Sequence, residues 1–186
     1  MSEPKILQTN RLYNGRVFNL VVHEVEYPSG NRSVREIAQH PGGAVVVAIL
    51  PDDTVLLVRQ YRFPVGRELY ELPAGKLDKG EDPMHCAARE LEEETGYVAA
   101  SLHKLMAMCT TPGFSDEILH IFLASGLQPS PHGQQLEEGE LSLRLERIPF
   151  ARTLEMIDEG TIVDGKTIAG LLFVDRLRKS GKQSGV

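Results

Sequence analysis

The clearest pattern of apolar and polar positions lies between Gly75 and Tyr97. At about 100° per residue, the apolar residues of one helical face are Met84, Ala87, Ala88 and Leu91. Three acidic residues form the adjoining face, namely Glu90, Glu93 and Glu94, whereas Glu92 points elsewhere. Asp82 suits the N-cap, Pro83 the first helical position and Gly96 a left-handed C-terminal position. The pattern therefore predicts a helix between Pro83 and Gly96.

The rest of the chain alternates β-rich runs with turn signals. Strands are predicted over 18–25, 32–39, 44–50, 54–61, 68–72, 99–109 and 117–124, and in a segment through Leu145. Two more helices are predicted over 152–159 and 166–178, the second with a broad apolar face. Strands combined with one central and two C-terminal helices predict an α+β or mixed α/β fold.

A pair of glycines, Gly42 and Gly43, marks a predicted boundary within the chain. Residues 1–41 are predicted to form an antiparallel β extension, residues 42–180 the main domain and residues 181–186 a disordered tail. A hairpin of this kind needs a surface to pack against. We expect that surface to belong to a second subunit, which makes the protein a homodimer; the alternative is that the extension folds back on its own domain.

Composition narrows the classes of partner. The chain has 186 residues and a formal net charge of -6, which argues against a general nucleic-acid surface but allows a phosphate-bearing small substrate. Cys86 and Cys109 form neither a disulfide framework nor a zinc spacing, and Cys86 is expected to be a buried thiol. The sequence shows no signal region and no apolar run of membrane-spanning length. We therefore expect a cytoplasmic protein without a membrane partner.

The acidic face of the central helix is unfavourable on its own. Like charges three and four residues apart repel, and negative charge near a helix C-terminus opposes the helix dipole. Apart from Arg89, the helix contains no Lys or Arg that could pair with these glutamates. One interpretation is a solvated acidic surface. The other is that a metal ion supplies the missing charge, and carboxylate ligands favour Mg²⁺ or Mn²⁺ over zinc.

Nine residues in and before this helix resemble the Nudix box, the signature of the Nudix hydrolases. They are Gly75, Glu81, Arg89, Glu90, Leu91, Glu93, Glu94, Gly96 and Tyr97. Only Tyr97 departs mildly from the pattern, which more often has an aliphatic residue there. The resemblance implies a three-layer α/β/α sandwich and cleavage of nucleoside diphosphates linked to another moiety, with divalent metal held on the helix. It favours the metal interpretation of the acidic face.

Further segments are similar to the ADP-ribose and nucleoside diphosphate sugar pyrophosphatases of that family. These segments are VRQYRFP, ELPAGKLDKGED, PGFSDE around Pro112, TIAGLLF near the end, and the β-rich extension. The resemblance implies a nucleotide-sugar substrate, Mg²⁺ as cofactor with Mn²⁺ possible, and the products nucleoside monophosphate and sugar phosphate. It also implies a homodimer.

The metal ligands that the resemblance implies lie on the helix and on the loop before it. Glu90 and Glu94, four apart on one face, are the leading ligands, with Glu93 and the carbonyl oxygen of Ala74 completing the set. Glu81 is expected to pair with Arg89 and to have a structural role.

The general base is expected in the acidic loop at residues 137–140. Glu140 is the first candidate and Glu138 the second, because members of this subfamily often take the base from a mobile loop after the box. A simply solvated loop is the alternative, and Glu93 is the competing base.

Several residues are candidates for substrate binding. Arg59 and Arg62 could clamp phosphates bidentately, with ordinary surface arginines as the alternative. Glu71 is a candidate substrate contact that could instead pair with an arginine. The remaining candidates are Arg35, expected to reach the nucleotide bound by the neighbouring subunit, and Gly113 and Phe114. The ring of Phe114 could stack on the substrate or merely cover the site.

Two other functions are alternatives to this one. Another Nudix substrate, such as a dinucleoside polyphosphate or coenzyme A, fits the PGFSDE stretch and the extension less well. A non-catalytic ADP-ribose-binding sensor is disfavoured because such proteins usually lose glutamates of the box, and this chain keeps all of them.

Overall fold

The computed structural model of the chain describes residues 3–136 and 138–181, with only the backbone of Glu140. The strands among these residues are β1 (Lys5–Asn14), β2 (Asn19–Glu26), β3 (Arg32–Gln39), β4 (Gly43–Ala48), β5 (Thr54–Arg62), β6 (Arg67–Glu71), β7 (Ala74–Lys76), β8 (Tyr97–Val98), β9 (Ser101–Cys109), β10 (Ile118–Ser125), β11 (Gln128–Pro129) and β12 (Arg144–Pro149). The α-helices are α1 (Pro83–Thr95), α2 (Phe150–Asp158) and α3 (Gly165–Lys179). Short 3₁₀ turns follow β5 at Phe63–Val65 and precede β12 at Glu138–Glu140.

The chain divides into two compact units. The first contains the residues up to Gly42 together with Met108–Ile118, and the second contains Gly43–Ala107 and the residues from Leu119 onwards. The sequence-based division at residues 41 and 42 assigns the segment 108–118 to the main domain. In the structure this segment joins the N-terminal unit, because its backbone bonds to β3. The predicted tail, 181–186, lies outside the described residues except for residue 181.

The N-terminal unit is built on an antiparallel sheet in the order β1-β2-β3. Backbone hydrogen bonds of Tyr27 close the turn between β2 and β3. In one of them, the amide of Gly30 donates to the carbonyl of Tyr27 at 2.8 Å. Strand β1 is exposed along its whole length. At the end of β3, the amide of Ala38 donates to the carbonyl of Phe114 at 2.8 Å, and the amide of His40 donates to Asp116 at 2.7 Å.

The second unit contains a four-stranded sheet in the order β7-β4-β10-β9 and a three-stranded sheet in the order β12-β5-β6, with β11 and β8 forming a short pair. Strands β4 and β10 run parallel, whereas β7 is antiparallel to β4 and β5 is antiparallel to both of its neighbours. Strand β4 is fully buried, as its unbroken apolar sequence predicts.

Helices cover both faces of the central strand β4, because successive side chains of a strand point to opposite faces. On one face, α1 buries Cys86, Ala87 and Leu91 in a cluster with Ala44, Val46 and Ala48. On the other face, α3 approaches through Gly170, where a Cβ would lie 2.8 Å from Leu72 and 3.0 Å from Val47. The unit is therefore a mixed α/β structure with a helix, a sheet and a helix in layers, as predicted.

Within residues 3–136 and 138–181, no helix combines the length and the apolar character needed to cross a membrane.

Candidate active site

Helix α1 begins and ends where its sequence predicts. The side chain of Asp82 accepts a bond from the amide of Met84 at 2.8 Å, which satisfies one of the free amides at the helix start. Gly96 adopts φ 70°, and its amide donates to the carbonyl of Glu92 at 2.8 Å. A side chain at Gly96 would be strained in this left-handed conformation. These ends fix the register of the glutamates on the helix.

The predicted metal ligands Glu90 and Glu94 are buried against the start of the short strand β7, where Ala74 lies. Glu90 is 8% exposed and Glu94 is 1% exposed. A carboxylate Oε of Glu94 accepts a bond from the amide of Ala74 at 2.9 Å. Burying carboxylates in this way is costly unless charge and hydrogen bonds compensate. The structure thus brings Ala74, Glu90 and Glu94 together.

Gly75 makes room for the carboxylate of Glu90. A Cβ built on Gly75 would lie 1.9 Å from Oε1 and 2.0 Å from Cδ of Glu90, far inside the distance at which atoms can approach. Every other residue type at position 75 would displace the carboxylate. The carboxylate of Glu90 therefore explains why the first position of the nine-residue pattern is a glycine.

The guanidinium of Arg89 joins the acidic residues around it. It donates to Glu81 at 3.1 Å, to Glu90 at 2.7 Å and to Glu93 at 3.0 Å. The hydrogen bonds from Arg89 are the main cause that lowers the pKa of Glu81 to about 2, and the amide of Asp78 adds to it. The same bonds raise the pKa of Arg89. The predicted pair of Glu81 and Arg89 is present, and one cation is shared among three carboxylates.

The donor set suits a hard divalent cation. Glu90, Glu93 and Glu94 supply carboxylate oxygens, and Ala74 at the start of β7 supplies a carbonyl oxygen. Mg²⁺ and Mn²⁺ prefer such ligands. Arg89 already places positive charge against two of these carboxylates. Among the described residues, no three side chains of His, Cys, Asp or Glu stand in a preformed metal-binding arrangement. The roles of Ala74, Glu90, Glu93 and Glu94 as metal ligands therefore stay a prediction, with which the chemistry of their oxygen donors agrees.

Cys86 is buried next to these residues. It has no exposed surface, and its thiol lies 3.5 Å from a nitrogen of Arg89. Burial, with the charges of Glu81 and Glu90, raises the pKa of the thiol to about 12. Cys86 is thus a buried, unreactive thiol, as expected from the sequence.

Of the candidate substrate residues, Arg62 and Glu71 bind each other. Nε and Nη2 of Arg62 donate to the two carboxylate oxygens of Glu71 at 2.7 and 2.8 Å. Nζ of Lys166 donates to the same carboxylate. Glu71 therefore pairs with an arginine, which is one of the two possibilities that the sequence offers. Any contact of Glu71 or Arg62 with substrate stays a prediction.

The other arginine of this strand, Arg59, pairs with Glu68 at 2.7 Å. Its guanidinium lies over the ring of Tyr70, 5.3 Å from the centroid. Its role as a phosphate clamp stays a prediction.

Three candidate substrate residues belong to the N-terminal unit. Arg35 bonds to the carbonyl of Val34 at 2.9 Å and lies 5.6 Å from the ring centroid of Tyr27. Gly113 and Phe114 lie in the turn after β9, and Phe114 is exposed. The contribution of all three to substrate binding stays a prediction.

The acidic loop with the predicted base follows a segment fastened to the end of α1. The side-chain amide of Gln134 donates to the carbonyl of Glu94 at 2.5 Å, and the amide of Gln135 donates to the carbonyl of Glu93 at 2.9 Å. Glu138 is exposed and lies three residues after Gln135, so the chain can separate their Cα atoms by at most about 11 Å. The side chain of Glu140 and the whole of Glu137 lie outside the described part of the chain. Assignment of the base stays a prediction.

Two groups of interactions were missed by sequence reasoning. The first is the anchoring of the loop by Gln134 and Gln135, for which the sequence carries no signal. The second is the ion pair of Lys166 with Glu71. The sequence does signal that Lys166 needs a counter-ion, because a lysine in the first turn of a helix opposes the helix dipole, but it does not identify Glu71 as that partner.

Comparison with known proteins defines the family. The family model of the NUDIX domain matches residues 40–165. The chain therefore belongs to the Nudix family, and it is a Nudix pyrophosphohydrolase.

Individual proteins extend this likeness over nearly the whole chain. The chain is 41% identical to the methanol dehydrogenase activator of Bacillus methanolicus and 39% identical to the ADP-ribose pyrophosphatase of Bacillus subtilis (strain 168), in each case over 172 residues and 92% of both chains. The crystal structure of an ADP compounds hydrolase matches with a TM-score of 0.82 and 25% identity, covering 97% of both chains. The predicted Nudix-type α/β/α fold is thereby confirmed.

Proposed function

We propose that this protein hydrolyses the diphosphate bond of ADP-ribose or a related nucleoside diphosphate sugar, with Mg²⁺ as cofactor. The products are a nucleoside monophosphate and a sugar phosphate, which are AMP and ribose 5-phosphate in the case of ADP-ribose. Support comes from the Bacillus subtilis relative, which is an ADP-ribose pyrophosphatase, and from the solved ADP compounds hydrolase.

The observation that carries the proposal is the burial of Glu90 and Glu94 against Ala74 and Gly75 in β7. Glu94 accepts the amide of Ala74, and Glu90 fills the space beside the Cα of Gly75. Two buried carboxylates with a third beside them form a site of concentrated negative charge. Such a site binds divalent cations, and these are what a dianionic diphosphate needs for its own binding.

The residues of the chain have separate tasks in this scheme. Glu90, Glu93, Glu94 and the carbonyl of Ala74 would hold the metal, which would supply positive charge for the diphosphate oxygens. Arg89 and Glu81 keep the helix and the loop in register. Arg62 and Arg59 bind phosphate oxygens by charge-assisted hydrogen bonds.

A general base accepts the proton of the attacking water. Glu140 is the first candidate, Glu138 the second, and Glu93 the competitor. The attachment of Gln134 and Gln135 to the end of α1 supports a base in this loop, because it keeps the loop near the glutamates. Replacing each candidate by Gln tests the assignment: the true base lowers kcat about 10²- to 10⁴-fold and removes the acidic limb of the pH–rate profile.

The test of the proposed function is product release from a panel of substrates. ADP-ribose, ADP-glucose, GDP-mannose and a diadenosine polyphosphate are each incubated with Mg²⁺ or with a chelator. Glu94→Gln serves as the inactive variant. Glu92→Gln is the matched control on the same helix, because its amide oxygen can still accept the bond that Ser130 donates to Glu92. We expect metal-dependent turnover of ADP-ribose that Glu94→Gln abolishes and Glu92→Gln retains.

The assembly is part of the proposal. We propose a cytoplasmic homodimer in which the N-terminal extension packs on the second subunit. Support comes from β1, which is exposed along its length and carries Ile6, Leu12 and Tyr13 with more than half of their surfaces open. Sedimentation of a shortened chain beginning at Pro41 tests this: a stable, fully active monomer would contradict it.

A second candidate function is suggested by one relative. The methanol dehydrogenase activator is 41% identical to this chain, so the chain could act on another enzyme. Adding wild type and Glu94→Gln to a methanol dehydrogenase separates the possibilities. Activation by both proteins would indicate a binding function, activation by wild type alone would indicate that hydrolysis is needed, and activation by neither would exclude this candidate.

A further inference from the structure

A buried ion-pair network connects the start of α3 with the end of β5. Its members, here called the Lys166 network, are Arg62, Glu71, Asp164, Lys166 and Thr167. Its central carboxylate, Glu71, is 2% exposed and is bonded by both Arg62 and Lys166. Burial alone would raise the pKa of Glu71, but the hydrogen bonds and charges of the two cations outweigh burial and lower it. Glu71 is thus a buried, ionised group between two cations.

Lys166 is itself held in place by hydrogen bonds at the start of α3. Its Nζ donates to Asp164 at 3.0 Å. Asp164 caps α3 by accepting the amide and the hydroxyl of Thr167 at 3.0 and 2.6 Å. The hydroxyl of Thr167 in turn accepts the amide of Leu72 at 2.8 Å. These bonds tie the first turn of α3 to the residue that follows Glu71, so the position of Lys166 is fixed relative to β6.

The environment of Lys166 needs a local explanation. A cation in the first turn of a helix opposes the helix dipole, and the side chain of Lys166 is only 12% exposed. A lysine retained there must gain more from its partners than it loses. The partners are Asp164 and Glu71, and Glu71 lies 95 residues away in the sequence.

Arg62 is the exposed end of the network. Its side chain is 41% exposed, and its bonds to Glu71 use Nε and Nη2, so the pair does not use Nη1. Hydrogen bonds to Glu71 are the main cause that raises the pKa of Arg62, and the charge of Glu94 contributes.

We propose that Lys166 is a positioning residue for substrate binding, which holds Arg62 toward the diphosphate through Glu71. This proposal rests on the proposed function, in which Arg62 binds phosphate oxygens. A bidentate pair requires the guanidinium and carboxylate planes to align. Lys166 fixes the carboxylate plane from the buried side, which leaves the free edge of Arg62 pointing in one direction. Lys166 also offsets the charge of Glu71, so Arg62 keeps positive potential for the substrate.

A purely structural tie would make different predictions. If the network only joins α3 to the sheet, replacing Lys166 would lower stability and leave substrate affinity unchanged in the folded enzyme. If Lys166 acts through Arg62, its replacement raises KM, and this effect disappears once Arg62 is absent.

The kinetic test is a double-mutant cycle with Lys166→Met and Arg62→Met. We expect Lys166→Met to raise KM for ADP-ribose about tenfold with kcat within about twofold, and Lys166→Arg to recover most of the loss. In the Arg62→Met background, Lys166→Met is expected to change KM by less than about twofold. Arg152→Met is the control: it removes a cation from the exposed ion pairs of α2 and should leave KM unchanged.

A second test does not depend on turnover. The Nε–Hε signal of Arg62, assigned by its loss in Arg62→Lys, is followed by ¹⁵N NMR in the full chain. We expect slow exchange with water in the wild type and in Lys166→Arg, and exchange at least about tenfold faster in Lys166→Met.

The outcomes separate this inference from the proposed function. Unchanged exchange at Arg62 in Lys166→Met, or an equal rise in KM in both backgrounds, would overturn the inference. Faster exchange at Arg62 in a protein that does not turn over ADP-ribose would uphold the positioning of Arg62 by Lys166 and overturn the proposed substrate.

Discussion

The C-terminal half of α1 and the first turn of α3 both carry charge of the wrong sign for their end of a helix. Glutamates lie at the negative end of α1, and Lys166 lies at the positive end of α3, so each arrangement is unfavourable by itself. The difference lies in how they are balanced. Lys166 contacts two carboxylates, Glu71 and Asp164, inside the protein, whereas Arg89 contacts Glu90 and Glu93 while also pairing with Glu81.

This difference separates the proposed metal-binding site on α1 from the Lys166 network, which we propose positions Arg62. Glu90, Glu93 and Glu94 concentrate three carboxylates on one stretch of α1, and a bound metal ion would offset their mutual repulsion. The Lys166 network contains two cations and two carboxylates and needs no further ion. Removing a charge should therefore have opposite consequences in the two regions.

The largest effect is expected at Glu94. Glu94→Gln should lower kcat for ADP-ribose about 10³-fold, because it removes a proposed metal ligand, yet change the free energy of unfolding by less than about 1 kcal/mol. The amide oxygen of Gln can still accept the bond from Ala74, and repulsion within α1 is reduced. Kinetics and urea unfolding measure the two quantities, with Glu92→Gln as control. A loss of stability that parallels the loss of activity would contradict the comparison.

In the balanced network, the same substitution should damage stability. Glu71→Gln leaves Arg62 and Lys166 without their shared counter-ion, so the free energy of unfolding should fall by about 3 kcal/mol. Glu68→Gln is the matched control, because Glu68 pairs with Arg59 and Arg144 at a more exposed position and should cost less than about 1 kcal/mol. Equal stability of the two variants in urea would show that the network is not a buried balanced unit.

Gly75→Ala probes the space of the Glu90 carboxylate. The added Cβ would lie 1.9 Å from Oε1 of Glu90, so the carboxylate must move. We expect the Mg²⁺ concentration for half-maximal activity to rise about 10- to 100-fold. Gly165→Ala is the control, since its Cβ would meet no atom within 4 Å. Unchanged metal dependence in Gly75→Ala would argue against Glu90 as a ligand.

The smallest effect concerns the pair of Glu81 and Arg89. The pKa of Glu81 is depressed from 4.5 to about 2, so its contribution to stability is fully present above about pH 4.5 and is lost as the pH falls toward 2. The difference in unfolding free energy between wild type and Glu81→Gln should be constant at neutral pH and shrink across that window. A difference that stayed constant down to pH 2 would contradict this assignment.

Much of the fold could be predicted because its signals are local. The ends of α1 follow from Asp82 and Gly96, and the buried strand β4 follows from its unbroken apolar run. The association of segment 108–118 with the N-terminal unit carries no local signal, because its bonds to β3, such as that between Ala38 and Phe114, join residues far apart in sequence.

In the candidate site, too, the residues with a local signal in the sequence could be predicted and the others could not. The glutamates of α1 were found because their imbalance is visible within one helix. The partner of Lys166 was missed because the compensating carboxylate is 95 residues away, and no local pattern connects them. The pairing of Arg62 with Glu71 was foreseen only as an alternative, since the sequence does not show which arginine the strand turns toward Glu71.

The most direct test of metal-dependent hydrolysis at the α1 glutamates is ³¹P NMR of ADP-ribose with the wild-type protein. With Mg²⁺, the two diphosphate signals should be replaced by two monophosphate signals, from AMP and ribose 5-phosphate, and neither chelator-treated enzyme nor Glu94→Gln should produce them. Diphosphate signals that broaden on binding but persist with Mg²⁺ would contradict the account and identify a protein that binds ADP-ribose without cleaving it.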